Sequence, residues 1–311
     1  MKERQAKGTR AHVAILSRKR SLYSTSRLVE AARALGLRPT VLDTLKCQML
    51  LGPPRPRMLY RGAQLEALEL AIPRIGASIT SYGLAVVSHL EVMGIPVANG
   101  AQAIARSRDK LRCLQLLDSH GLAIPRTVMA HQSSNVSRLV EEVGGLPAII
   151  KLLRGTQGVG VMIATTMEEV KSILGTFQGL GQDLLIQEFI AESKGRDVRA
   201  LVVGDRVVGA MRRTAKRGEF RSNLHRGGEG KPVKVLPPEY AALAVRAAQT
   251  VGLAIAGVDL LEGKDGPKVM ELNSSPGFEG LERATGKDIA RAMVKHALTL
   301  RGPAGGLRPD V

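Results

Sequence analysis

The chain has 311 residues, of which 44% are hydrophobic and 23% are charged. Such proportions are typical of a folded globular protein and exclude a mostly disordered chain. No segment approaches the roughly 20 consecutive apolar residues of a membrane span, and the two cysteines are too few for a disulfide framework. We therefore expect a cytoplasmic protein with two or three closely packed lobes and no membrane partner.

Positive charge dominates the composition. Lys and Arg total 45 against 28 Asp and Glu, which gives a net charge of +17, and the basic residues concentrate in Met1–Arg20 and Arg212–Arg226. A field of this sign attracts polyanions. Aromatic residues make up only 3% and tryptophan is absent, so stacking platforms for single-stranded nucleic acid are scarce. Acidic peptides and nucleotide phosphates are therefore as good candidates as nucleic acid, and we expect no sequence-specific nucleic-acid binding.

The N-terminal third has the pattern of an α/β domain. Residues 1–10 lack apolar periodicity and are predicted to form a flexible basic arm. Val13–Leu16 is a buried-type strand, Ser26–Leu35 has helical periodicity, and Thr40–Leu42 is a second strand. Strand, helix and strand at this spacing predict a parallel α/β domain over residues 11–101.

The remaining sequence alternates strands and helices in an α+β pattern. The segment Ser107–Lys110 resembles a helix start, with leucines at core spacing after it. We predict a central lobe over residues 102–190, a C-terminal lobe over residues 191–300, and a loose tail over residues 301–311, which are rich in glycine and proline.

A glycine-rich turn lies between two apolar strands. Gly155, Gly158 and Gly160 are followed by a strand rather than a helix, which argues against a Rossmann or Walker loop. Backbone N–H groups of such a flap can fold over phosphate oxygens, although an ordinary glycine turn is an equally open interpretation. Lys151 lies in the buried-type strand before it, where an ammonium needs an anionic partner unless its side chain reaches solvent.

Three oxygen-bearing side chains are predicted to meet on a hairpin near the C-terminus. Glu271 and Asn273 are two residues apart on one strand and therefore share a face, and Asp259 lies on the partner strand. Like charges across a hairpin repel unless a cation lies between them. Because hard oxygen ligands without histidine or cysteine suit Mg²⁺, we favour a metal site over a merely solvated strand face.

A basic loop flanked by glycines lies within the predicted C-terminal lobe. It carries Arg221, Ser222 and Asn223 close to Gly227. Guanidinium groups on such a loop suit carboxylates and phosphates, so we expect ligand contact here rather than a solvated charge run.

Taken together, these residues resemble the ATP-grasp ligases, and more narrowly the RimK-type glutamate ligases that modify the sixth protein of the small ribosomal subunit. The resemblance covers Val13 to about Leu300. It is carried by Ile15–Arg18, Ile72–Gly76, Arg108–Lys110, Lys151 with Gly155–Gly160, Gln187–Ile190, Asp197–Arg199, Arg221–Gly228, Gly257–Asp259 and Met270–Gly277. The resemblance implies an ATP-grasp fold, within the α/β class, that follows an N-terminal pre-ATP-grasp domain.

The resemblance also implies roles for particular residues. Two lysines would hold the ATP phosphates, the backbone of two residues would read the adenine edge, and one aspartate would lie near the ribose. The basic loop would line the phosphate and substrate end of the site, and the hairpin would bind two metal ions, Mg²⁺ or Mn²⁺. In the same order these residues are Lys110 and Lys151, Glu188 and Phe189, Asp197, the loop residues Arg221, Ser222 and Asn223, and the hairpin residues Asp259, Glu271 and Asn273. Catalysis would fall chiefly to Arg221 and Lys151.

By this resemblance, the partners are ATP, L-glutamate and the acidic C-terminus of a ribosomal protein, and the protein is a homo-oligomer, a tetramer. The expected activity is an ATP-dependent ligation that activates a carboxylate as an acyl phosphate and can extend poly-α-glutamate. Two alternatives stay open. The same scaffold could add glutamate to a small coenzyme or free amino acid, or the chain could be a basic nucleic-acid-binding module with a vestigial nucleotide site.

Overall fold

A computed structural model describes residues 10–130, 135–153, 160–216 and 228–301. Within these residues the strands are, in chain order, β1 His12–Leu16, β2 Arg38–Leu42, β3 Cys47–Leu50, β4 Arg57–Tyr60, β5 Ala63–Gln64, β6 Leu70–Pro73, β7 Thr127–Ala130, β8 Ala148–Leu152, β9 Val161–Ala164, β10 Leu184–Glu188, β11 Arg196–Val203, β12 Arg206–Thr214, β13 Glu229–Pro232, β14 Ile255–Gly263 and β15 Gly266–Asn273. The α-helices are α1 Tyr23–Ala34, α2 Thr80–Val92, α3 Ala101–Arg108, α4 Lys110–Ser119, α5 Val136–Glu142, α6 Met167–Gly179, α7 Pro238–Val251, α8 Glu279–Thr285 and α9 Ile289–Thr299. None of these helices has the length and apolar content needed to cross a bilayer.

The N-terminal domain contains the predicted parallel sheet, in the order β2-β1-β6. All five residues of β1 are buried because helices cover both faces. A second sheet, the antiparallel β3-β4-β5, was not expected from the sequence. Its strands have two to four residues each, too few for an apolar alternation to stand out.

The central lobe is built on the antiparallel sheet β7-β10-β8-β9, which α5 and α6 cover. A helix does start within the predicted segment Ser107–Lys110, and a helix that was not predicted, α3, precedes it. Helix α3 ends at Arg108, and Asp109 caps a separate helix, α4, by accepting a hydrogen bond from the Arg112 N–H at 3.0 Å. Asp109 has an extended backbone, as N-cap residues do, and it therefore separates α3 from α4.

The C-terminal lobe is a five-stranded antiparallel sheet in the order β13-β12-β11-β14-β15. One face packs on α7 and α4 through an apolar cluster that includes Val198, Ala200 and Val258. The inner end of the other face, with Leu201 and Met211, packs on α8, α9 and the N-terminal sheet. The outer end of that same face carries charged residues instead, and it forms the floor of the candidate site.

Candidate active site

A network of buried ion pairs runs across the charged end of the five-stranded sheet. Arg199 donates to both carboxylate oxygens of Asp259 at 2.7 Å, and Arg213 donates to both oxygens of Asp197 at 2.7 and 2.9 Å. Arg213 Nη2 also lies 2.9 Å from Asp259 Oδ2. Asp197, Arg213 and Asp259 are each 2% exposed or less. Bidentate geometry fixes the Asp259 carboxylate in one orientation.

The predicted convergence of the hairpin carboxylates is confirmed at the level of strand register. Asp259 on β14 is paired directly with Glu271 on β15, and Asn273 is paired with Gly257. These side chains therefore share a face of the sheet. Burial, and secondarily Asp259, raise the pKa of Glu271 above its usual value, whereas Arg199, Lys151 and Lys110 oppose this. Glu271 is nonetheless accessible to solvent, as expected for a side chain on the floor of a cleft.

The donor set fits an oxygen-ligated divalent ion. Arg199 and Arg213 use three of the roughly four acceptor positions of the Asp259 carboxylate, which leaves one. Glu271 has no ion pair within 4.0 Å among the residues that the structure describes. The described histidines, cysteines, aspartates and glutamates contain no group of three that could hold a metal, so the protein ligands of an ion here would be the two carboxylates and the Asn273 amide oxygen.

Two lysines approach this floor from the central lobe. Lys151 on β8 donates to the Gln187 side-chain oxygen at 2.6 Å, and Gln187 in turn donates to Thr127 at 2.8 Å. Lys110, the first residue of α4, donates to the carbonyl oxygens of Leu152 and Leu153 at 3.1 and 3.3 Å. Both ammonium groups lie close enough to Glu271 for its charge to affect their pKa values.

Burial lowers the pKa of Lys151 to about 8, with Glu271 acting in the opposite direction and Lys110 in the same one. Burial also lowers the pKa of Lys110. Among the described residues, no carboxylate lies within 4.0 Å of the Lys151 ammonium. Two partly buried cationic groups beside one cleft favour a polyanionic ligand such as a polyphosphate.

The glycine-rich flap begins where β8 and β9 meet. Gly160 has a φ of +75°, and a Cβ there would lie 2.5 Å from Leu152 Cδ1 and 2.9 Å from Leu152 Cβ. The Leu152 N–H also donates to the Gly160 carbonyl at 2.8 Å. A side chain at this position is therefore excluded both by conformation and by space. Gly155 and Gly158 lie outside the described residues, as do Arg221, Ser222 and Asn223.

Glu188 and Asp197, which are predicted to lie near the adenine and the ribose of ATP, make contacts within the protein. The Glu188 N–H donates to the Arg126 carbonyl at 2.8 Å, and its carboxylate accepts from Lys268 at 2.8 Å. An adenine contact at Glu188 is therefore left to its carbonyl, next to the backbone of Phe189. The Asp197 carboxylate is buried under Arg213, away from solvent. The roles of Glu188, Phe189 and Asp197 stay predictions.

Sequence reasoning assigned no role to Gln187, Arg199 or Arg213, which hold Lys151 and Asp259 in place. Part of this network is visible in the sequence of β11. Asp197 and Arg199 are two residues apart, so their side chains lie on the same face of the strand. The partner of each arginine depends on strand register, which the sequence does not specify.

Comparison with known proteins gives the class first. The RimK PreATP-grasp domain model matches residues 11–104, and the RimK-like ATP-grasp domain model matches residues 107–297. The fold is that of the ATP-grasp enzymes: the chain superposes on ATP-grasp ligase PsnB complexed with a minimal precursor with a TM-score of 0.73 at 25% identity, covering 94% of this chain and 99% of that one.

The sequence relatives narrow the class. The chain is 50% identical over 285 residues to a probable alpha-L-glutamate ligase of Chromohalobacter salexigens, covering 92% of this chain and 94% of that protein. It is 53% identical over 278 residues to probable alpha-L-glutamate ligase 1 of Hahella chejuensis, covering 89% and 91%. The chain therefore belongs to the RimK-like ATP-grasp family and is an ATP-dependent ligase.

Proposed function

We propose that this protein is an α-L-glutamate ligase that joins the α-amine of glutamate to a carboxylate at the acidic C-terminus of a ribosomal small-subunit protein. The observation that carries the proposal is the opposition, across one cleft, of Lys110 and Lys151 to the paired carboxylates Asp259 and Glu271. This charge arrangement suits a metal–nucleotide complex. Glutamate as the added amino acid is supported by the names of relatives that are 50% and 53% identical over most of the chain.

The reaction has two steps. In the first, a carboxylate oxygen of the acceptor attacks the γ-phosphorus of ATP, which forms an acyl phosphate and releases ADP. In the second, the glutamate amine attacks the acyl carbon, the C–O bond to phosphate breaks, and the amine loses a proton. Such chemistry depends on positioning and charge neutralisation more than on a protein nucleophile.

The side chains of the cleft supply these two effects. Lys151, held by Gln187, and Lys110, held by two carbonyl groups, would neutralise the transferring phosphate. Arg221, with Ser222 and Asn223, is assigned to the same phosphate. About a tenth of an α-amine with a pKa near 8 is unprotonated at neutral pH, so no strong general base is required.

Asp259, Glu271 and Asn273 would hold Mg²⁺ or Mn²⁺, in two ions. When bound, such an ion neutralises phosphate charge and orients the transferring group. Burial raises the pKa of Asp259, but the charges and hydrogen bonds of Arg199 and Arg213 together lower it by more, so the carboxylate stays ionised. The Asp259 oxygen thus stays ready as a ligand at any pH near neutrality.

The net charge of +17 supports an acidic acceptor, because each added glutamate strengthens the attraction to the enzyme and favours repeated addition. PsnB, a structural neighbour, forms a complex with the precursor peptide PsnA2, which agrees with a peptidic acceptor. We further propose a cytoplasmic homotetramer, and domains at residues 11–101, 102–190 and 191–300, with an arm and a tail outside them.

The proposal is tested by mass spectrometry of acceptor peptides. The enzyme, ATP, Mg²⁺ and L-glutamate should add single glutamyl units to a peptide that ends in glutamate residues. The same peptide with an amidated C-terminus is the matched control and should stay unmodified, because it offers no α-carboxylate at its end. ADP release without any mass increment would contradict the assignment.

The two alternative functions predict different outcomes in the same experiment. A small-molecule ligase would consume ATP with a coenzyme or free amino acid as the acceptor, but not with the peptide. A nucleic-acid-binding module would bind RNA with a steep salt dependence and would hydrolyse no ATP.

A further inference from the structure

Two arginines lie where the N-terminal domain meets the loop after β15, and neither pairs with a carboxylate within 4.0 Å among the described residues. Arg74 follows β6 and donates to the Pro276 carbonyl at 2.6 Å. Arg108 ends α3 and donates to the Ile75 carbonyl at 2.6 Å. The Nε of each is buried without a hydrogen-bond partner. We call this pair, with the adjoining loop residues Ser274 and Ser275, the arginine pocket.

Without a bound ligand, this arrangement of two guanidinium groups is electrostatically unfavourable. Two guanidinium groups close enough to interact repel each other, and burial first, then the charge of Arg108, lower the pKa of Arg74 to about 10. Arg74 is still charged at neutral pH. A buried charge without a counter-ion is costly, and backbone carbonyls compensate for only part of the loss. A bound anion would supply the missing acceptors.

Additional unsatisfied donors surround the pair. Ser274 and Ser275 have buried hydroxyl groups with no partner, and the Asn273 side-chain nitrogen is also buried and unpartnered. The Ser275 and Pro276 carbonyls contact Arg74 directly, which places this loop against the pair. Hydroxyl, amide and guanidinium groups all donate, so the pocket is matched to a ligand that only accepts, such as a carboxylate.

The arginine pocket adjoins the proposed metal site. Asn273 is both a predicted ligand and the residue before Ser274, and Arg108 is two residues before Lys110. Glu271 is near enough to influence the pKa of Arg108. At about 3.3 Å per extended residue, the pocket lies on the order of 10 Å from the metal ligands, the reach of a substrate held beside the γ-phosphate.

A buried asparagine holds the loop in place. Asn99 donates to the Ser274 carbonyl at 2.9 Å and to the Ile255 carbonyl at 2.8 Å, and it accepts from the Ile255 N–H at 3.0 Å. The pocket is therefore pre-organised by contacts between the two domains, as a binding site requires.

We propose that Arg74 and Arg108 bind the non-reacting carboxylates of the incoming glutamate and so select an acidic amino acid. This inference rests on the proposed function. Glutamate reacts through its amine and keeps two free carboxylates, which matches two guanidinium groups that have no carboxylate partner among the described residues. Under the proposed function, the nucleotide phosphates would instead lie at Lys110 and Lys151.

The test compares Arg74→Gln and Arg108→Gln with the wild type in the peptide assay. The KM for L-glutamate should rise at least about 10-fold, because each change removes charge-assisted hydrogen bonds, whereas the KM for ATP should stay within about 2-fold. L-Glutamine lacks the side-chain carboxylate, and L-isoglutamine lacks the α-carboxylate. The variants should discriminate against each of these two compounds less strongly than the wild type does. A purely structural role would leave this discrimination unchanged.

Arg112→Gln is the matched control. Arg112 is four residues from Arg108 and highly exposed, so this change removes the same charge from the surface without touching the pocket. Its KM for glutamate should match the wild type. If the control and the pocket variants behave alike, or if KM for ATP rises instead of KM for glutamate, the inference is wrong.

Lysine variants at both positions guard against a folding defect. Arg74→Lys and Arg108→Lys keep the charge but lose the planar fork, so the KM for glutamate should rise by a smaller factor than in the glutamine variants. Unchanged KM and unchanged discrimination in folded variants would overturn the inference while the wild type still adds glutamyl units. Absence of glutamyl addition by the wild type would instead overturn the proposed function.

Discussion

Replacement of Arg213 by methionine is expected to destabilise the protein strongly. Arg213 is 2% exposed and bridges two buried carboxylates, Asp197 and Asp259. Asp259 keeps Arg199, but Asp197 loses both of the hydrogen bonds that Arg213 donates to it. Loss of one partner from a buried ion pair costs about 3–5 kcal/mol, so we expect the free energy of unfolding to fall by that amount.

The neighbouring residue provides a matched control. Arg212 is on the opposite face of β12, is 48% exposed and pairs with Glu262 at 2.6 Å. Solvent screens such a pair, so Arg212→Met should cost about 1 kcal/mol or less. Because the protein has no tryptophan, urea unfolding is best followed by far-ultraviolet circular dichroism. Equal losses in the two variants would refute the role given to the buried network.

Three further outcomes are expected. The kcat/KM for ATP should fall as the pH rises through about 8, where Lys151 loses its proton, and Lys151→Arg should extend the plateau to higher pH in a pH–rate profile. Stability should fall on acidification as Glu282 protonates, because burial raises the pKa of Glu282 but hydrogen bonds from Tyr23 and Arg27 lower it by a larger amount. The stabilisation is present above the unfolded pKa of about 4.3 and is lost as the pH falls through the folded pKa. Glu282→Gln should therefore flatten the profile of unfolding free energy against pH. Gly160→Ala should raise the KM for ATP several-fold in steady-state assays with little change in overall circular dichroism, because the new Cβ displaces the base of the flap.

The hairpin shows which parts of the site are accessible to sequence reasoning. Alternation in β15 and a short turn after β14 were enough to place Asp259, Glu271 and Asn273 on one face. Both signals are local, and a period of two leaves little freedom once the turn is known. Lys151 was likewise visible as a charge within an apolar strand.

The rest of the site depends on contacts that are distant in the sequence. Arg199 and Asp259 are 60 residues apart, and Asn99 contacts Ser274 across 175 residues. Such pairs follow from sheet order and domain packing, which no local pattern encodes. Helix α3 was missed for a different reason, because its eight residues are too few for a helical apolar pattern to stand out.

The cleft is proposed to activate a carboxylate by phosphorylation, and oxygen-18 transfer tests this step most directly. An acceptor peptide labelled with oxygen-18 in its C-terminal carboxylate is incubated with the enzyme, ATP, Mg²⁺ and L-glutamate, and the released phosphate is analysed by mass spectrometry. An acyl phosphate predicts one labelled oxygen in each phosphate released per glutamate added. Glutamate addition with unlabelled phosphate would contradict the mechanism.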